Sequence, residues 1–122
     1  MSFARPVNTK HQRLIEVLRE AREFLARPDN DFAWSSWQDA PAAFREIDGI
    51  ISRIESGDLP NRSDIEFLFL PTGPIQEVSV SSGWGQEFVD LASRLDAAVA
   101  RVYDVDALGQ LARLLPESWR RK

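Results

Sequence analysis

Three stretches of this chain carry apolar residues spaced three and four apart, and each follows or precedes a proline or glycine. That spacing is the period of an α-helix with one buried face, and it leaves little of the chain for a sheet. In the first stretch Leu14, Leu18, Ala21 and Leu25 share a face widened by Val17 and Phe24. A helix is expected there from about Lys10 to Ala26, with Asn8 and Thr9 offering cap oxygens and Pro28 as the stop. In the second, Phe44, Ile47, Ile51 and Ile54 predict a helix from Ala40 to Ser56. Asp39 is its N-cap, Pro41 stands where a missing N–H costs little, and Gly57 ends it. The third begins after Ser81-Ser82-Gly83-Trp84-Gly85 and runs to about Tyr103, its inner stripe formed by Phe88, Leu91, Leu95 and Ala98 with Val99 and Val102.

Between these lie shorter elements. Ser63 is expected to cap a short helix over Asp64 to Leu70, closed by Pro71, although the run Phe67-Leu68-Phe69-Leu70 also fits a buried strand. Pro71 to Val80 shows no clean alternation and reads as a turn followed by a helical turn or two, with an edge strand as the alternative. A last helix over Val105 to Leu115 buries Leu108, Leu111 and Leu115 and stops at Pro116. Residues 1–7 read as a loose arm and 117–122 as a basic tail. The expected architecture is all-α: one domain, residues 1–122, built as a compact antiparallel bundle of four to five helices with an irregular segment around 71–85.

At 122 residues with 43 % hydrophobic content, the chain can bury a core without a disulfide or metal staple. It has no cysteine, which removes thiolate nucleophiles, disulfides and Cys-based zinc sites. Met1 to Pro6 shows no apolar signal region, and no run approaches the ~20 apolar residues of a membrane span, so a cytoplasmic protein that does not enter membranes is expected. The net charge of −4 is unevenly spread. Residues 1–28 and 107–122 are each basic, while 29–106 hold fifteen acids against five arginines. An acidic body makes nucleic-acid binding unlikely, since that needs continuous basic surface, and it suits a basic protein partner.

No reaction chemistry stands out. His11 is the sole histidine and sits on the first turn of a charged helix, with no serine in a nucleophile-elbow setting to complete a triad. Asp29 and Asp31 flank Asn30 as in a calcium loop, but the glycine and distal glutamate of that loop are missing. No cofactor and no metal are expected. Glu77, in a Gly/Pro-bounded apolar segment, is the carboxylate most in need of a partner, for which Arg94 and Arg53 are candidates. A catalytic role for Glu77 is the lesser alternative, so the chain is not expected to be an enzyme. Four tryptophans are many for this length. Trp34 and Trp37 fall in a polar, turn-prone stretch outside any strong apolar period, which makes them candidates for an exposed interface, with bundle-capping core as the competing reading.

The stretch Pro71-Thr72-Gly73-Pro74-Ile75-Gln76-Glu77, followed by Gly83-Trp84-Gly85-Gln86-Glu87-Phe88 and Leu91-Ala92, resembles small bacterial immunity-type proteins that neutralise toxins. The resemblance covers about residues 70–96. It implies a cytoplasmic protein that occludes a cognate toxin domain, and the acidic middle would suit a basic nuclease toxin. Asp29, Asp31, Trp34 and Trp37 are then the candidate partner surface. Pro71, Gly73, Pro74, Gln76, Glu77, Gly83, Trp84 and Gly85 are the fold-determining motif. A helical adaptor or regulatory subunit of an unrelated complex is the alternative.

Overall fold

The computed structural model describes residues 9–104, and every regular element among them is helical. Helix α1 spans Thr9–Leu25, α2 Ala40–Glu55, α3 Arg62–Leu68, α4 Pro74–Ser82 and α5 Gly85–Val99; α5 then widens into a π-helical turn, Ala100–Asp104. The last helix expected over Val105–Leu115, the arm at 1–7 and the tail at 117–122 lie outside the described residues. Helix α1 is the centre of the bundle, with α2 on one side and α5 on the other, and α4 rests on α5.

The apolar stripes lock this arrangement. Leu14, Leu18, Ala21 and Leu25 of α1, Ile47 and Ile54 of α2, and Leu91 and Leu95 of α5 are all at most 1 % exposed. Burying one such Leu or Ile side chain is worth about 1.5–3 kcal/mol. Two stripes differ from expectation. Ile15 joins the buried face of α1, and on α2 the deeply buried residue is Ala43, not Phe44. Phe44 lies half-buried under the Arg22 guanidinium, 4.3 Å from its ring centre, so the aromatic ring is shielded by a cation while small Ala43 lets α1 and α2 approach.

Helix ends follow local chemistry. Asp39 accepts the Ala42 N–H at 3.0 Å, as an N-cap does. Helix α2 closes when the Asp58 N–H donates to the Arg53 carbonyl and the Gly57 N–H to the Ile54 carbonyl, with Gly57 at φ +83. Helix α3 starts two residues earlier than expected, with Asn61 ahead of it and Ser63 already inside the first turn. The buried strand weighed for Phe67–Leu70 does not form: Leu68 and Phe69 turn inward while Phe67 and Leu70 stay exposed, the pattern of a helix end.

The ambiguous segment 71–83 is helical from Pro74 onward. Pro74 opens α4 where its lack of an N–H costs nothing, and Gly73 stands ahead of it because nothing larger fits. A Cβ at Gly73 would lie 2.6 Å from the Phe67 carbonyl oxygen and 3.2 Å from that of Leu70. At the other end Gly83 adopts φ +87, letting the Trp84 N–H return to the Ser79 carbonyl at 2.9 Å and turning the chain directly into α5.

Arginines tie the helices across their polar faces. Arg94 of α5 grips both carboxylate oxygens of Glu20 on α1, at 2.6 and 2.8 Å, and also Asp90; Arg22 joins Asp48, and Arg19 joins Glu55. The Arg94 hydrogen bond holds the Glu20 carboxyl below its ordinary range and raises the Arg94 guanidinium in turn. Because folded Glu20 takes up its proton less readily than the unfolded chain, its contribution is complete above the ordinary carboxylate range. It disappears as pH falls through the lower folded-state value.

Two outcomes follow for stability. In urea titrations Gly73→Ala is expected to lose about 1–3 kcal/mol through backbone overpacking, whereas Gly49→Ala, mid-helix with open space at its Cβ, gains about 0.5–1 kcal/mol. Glu20→Gln removes part of the acid-side fall in stability, by under about 1 kcal/mol since the pair is partly solvated, read as a flatter midpoint-against-pH curve in mild acid.

Candidate interaction surface

The loop from α1 to α2 holds the residues singled out as a partner surface, and a single side chain fixes it. Asn30 donates from Nδ2 to the Phe24 carbonyl at 2.7 Å, satisfying an acceptor in the last turn of α1. Its Oδ1 accepts the indole N–H of Trp84 at 2.9 Å. The Trp84 ring is 2 % exposed and stacks on Phe24 with ring centres 5.0 Å apart. Next to it, the Asp31 N–H donates to Ser82 Oγ at 2.8 Å. The Asp29–Asp31 turn and the Gly83-Trp84-Gly85 corner, fifty residues apart in sequence, are thus one junction. The corner serves tight turn geometry with Trp84 packed beneath, as its glycines suggest.

Asp29 is exposed and Asp31 half-buried, the latter also accepting the Ala33 N–H through Oδ1 at 2.9 Å. Asn30 points inward between them, so the two carboxylates do not share a cation cage. Among the described residues no group of three or more acids and histidines converges as metal ligands. Trp34 is 74 % exposed, the most exposed large apolar side chain described. Trp37 is not part of that surface. It is 6 % exposed, and its indole N–H donates to Glu46 Oε2 at 2.5 Å, so its polar edge is satisfied while its ring enters the core. Ser35 stiffens the loop between the two tryptophans, its hydroxyl lying within bonding distance of the Phe32 carbonyl and of the Trp37 backbone.

Beside the loop is a shallow hollow of about 640 Å³ whose walls include Phe32, Phe44, Pro41 and Arg27. Arg27 lies over the Phe24 ring at 4.3 Å. Asp29, Asp31, Asp39 and Glu46 around the loop form no ion pair among the described residues, in contrast to the acids of the helix faces. Arg45 next to Glu46 also has no carboxylate partner described.

Glu77 differs from expectation. It is half-buried in the first turn of α4, where the helix N-terminus favours a carboxylate, and neither Arg94 nor Arg53 reaches it. Arg94 is taken by Glu20 and Asp90, and Arg53 by Asp58 and the Leu59 carbonyl. His11 is half-buried on the first turns of α1, with no hydrogen bond among the described residues.

A second feature was not anticipated. Between the end of α3, helix α4 and most of the length of α5 runs an apolar groove of about 720 Å³. Phe69 and Phe88 form its floor, stacked at 6.5 Å between ring centres, and exposed Leu70, Val80 and Val89 form its lips. Pro71, Gln76 and Gly85 line it, so the segment that carries the resemblance also builds the groove. No helix among the described residues is long and apolar enough to cross a membrane.

No family model matches this chain, and neither do any curated protein or any solved structure. The described residues form an all-α bundle with a braced acidic turn and, among them, one exposed tryptophan.

If Asn30 braces the junction, Asn30→Ala costs about 2 kcal/mol, leaving the Trp84 N–H and a helix-end carbonyl unsatisfied, and alters the near-UV circular dichroism. Trp34→Ala stays within about 0.5 kcal/mol of the parent in the same urea titration, as a surface change should.

Proposed function

We propose that this protein acts by binding a protein partner, and that it is a cytoplasmic immunity-type protein covering the functional surface of a basic toxin domain. The observation that carries this reading is Trp34, 74 % exposed on a loop that five side-chain hydrogen-bonding residues hold in place: Asn30, Asp31, Ser35, Asp39 and Ser82. Exposing an indole to water is unfavourable, and fixing it in advance lowers the entropy lost on association. Rigid aromatic anchors of this kind dominate binding energy when they enter a partner's pocket.

The charge around it supports a basic partner. Asp29, Asp31, Asp39 and Glu46 form no ion pair among the described residues, and the segment 29–106 is strongly acidic. Such a surface draws in a nuclease-like domain whose own groove must attract phosphates, raising the association rate. The resemblance of residues 70–96 to immunity-type proteins supports the finer assignment. Trp37 has no part in the contact, and the motif residues around Gly83-Trp84-Gly85 act by bracing the loop.

The test is co-expression of the tagged chain with the product of the gene next to its own. A stoichiometric complex is expected, with a neighbour that is toxic when expressed alone. Trp34→Ala then weakens binding about thirtyfold or more, the equivalent of about 2 kcal/mol, and a combined Asp29→Asn, Asp31→Asn variant slows association and reduces its salt dependence. If the neighbour is harmless and nothing is retained, the immunity reading falls.

A further inference from the structure

Five large apolar side chains are exposed among the described residues, and three of them, Leu70, Val80 and Val89, stand together as the lips of the groove beside α4 and α5. Scattered apolar residues on a surface need no explanation, but apolar residues gathered along one trough mark a place where something docks. On α5 the lining runs from Gly85 to Asp96, about 16 Å or three turns at a helical rise of about 1.5 Å per residue. The walls are helical, with no strand edge among the described residues. An extended segment laid against Phe69 and Phe88 would leave its own backbone N–H and C=O groups unpaired, whereas a helix pairs them internally.

Charge gives the groove a direction. Arg62 joins Asp104 and Phe69 stacks on Phe88, so α3 lies along α5 in the opposite sense. Glu66, between those two contacts, therefore falls at the Asp96 end. Arg62 is shared by Glu66 and Asp104, while Asp96 is exposed and forms no ion pair among the described residues. That end holds three carboxylates against one guanidinium. No lysine or arginine lines the groove, and Arg94 and Arg101 border a separate notch beside Arg13 of α1. At the other end Pro71, Gln76, Val80 and Gly85 bring no charge.

We propose that the groove docks an amphipathic helix of a partner protein, about three turns long, with a lysine or arginine at the end that meets Asp96. Its apolar side chains, spaced three and four apart, cover Phe69, Phe88 and the three lips. A second copy of this chain fits less well. The apolar stripes of α1, α2 and α5 are already spent on its own core, and its segment 29–106 carries the same acidic charge as the groove end. The groove shares no residue with the Trp34 surface, so the two readings stand or fall separately.

The probe is a displayed library of random peptides of about sixteen residues, panned against the immobilised full chain. Enriched peptides are expected to carry apolar residues at helical spacing and a Lys or Arg at one end. Val89→Arg, a change at an exposed position, weakens their binding about tenfold or more. Asp96→Lys weakens it too and restores binding when the basic peptide residue is changed to Glu, while Trp34→Ala leaves it unchanged. Failure to enrich any peptide, or binding indifferent to Val89→Arg, would overturn the proposal, and enriched peptides without the basic end would overturn the choice of partner. Two further outcomes also count against it. A dimer in sedimentation that Val89→Arg dissociates would seat a second copy there. A polarity-sensitive dye on Val89→Cys, in a chain with no other cysteine, that is already shielded in the free monomer would mean the chain covers the groove itself.

Discussion

The hydrogen bond between the Trp84 indole and Asn30 is the contact on which the arrangement of this molecule turns. Trp84 is nearly sealed from solvent, and a buried indole N–H without an acceptor is costly. Asn30 meets that need and, with its amide nitrogen, also closes the C-terminal turn of α1. One side chain therefore joins the end of one helix to the start of another across the stacked rings of Phe24 and Trp84. The loop that follows inherits its position from this bond, and Trp34 stands out into solvent because its neighbours are held in.

Polar satisfaction is general in the described bundle. No buried side-chain nitrogen or oxygen there lacks a partner, and the single fully buried polar residue, Ser79, returns its hydroxyl to the Gln76 carbonyl. The interhelical arginine pairs are partly solvated, so each adds little energy. Their value lies in orientation: Glu20 with Arg94 and Asp48 with Arg22 set the rotation of α5 and α2 about α1. Apolar burial supplies the stability, and the forked guanidinium contacts select among rotations of similar burial.

Much of the bundle is legible from residue spacing. The stripes of α1, α2 and α5 and the cap at Asp39 follow from period and local chemistry, because they involve residues within a few positions of each other. The helix at Pro74–Ser82 is only half-legible, since its short apolar repeat fits several conformations and the deciding fact is the close approach of Gly73 to the Phe67 carbonyl. The candidate surface was legible in part. Trp34 and Asp29 are exposed and Asp31 is half-buried, but Trp37 is core, and Asn30, the residue that organises them, looks in sequence like any polar loop residue. Its role depends on a partner fifty-four positions away, which no local pattern reveals. The groove was invisible for the same reason: its lips come from the α3–α4 connection and from two separate helices.

The π-helical turn at Ala100–Asp104 has a consequence for how such a chain can vary. A π turn accommodates one residue more than an α turn over the same rise, so it behaves as an insertion absorbed within a helix. Deleting a residue there would restore regular α geometry and swing Tyr103 away from Pro60 by roughly a third of a revolution. Relatives that substitute residues freely in this turn but never change its length would be the expected evolutionary signature.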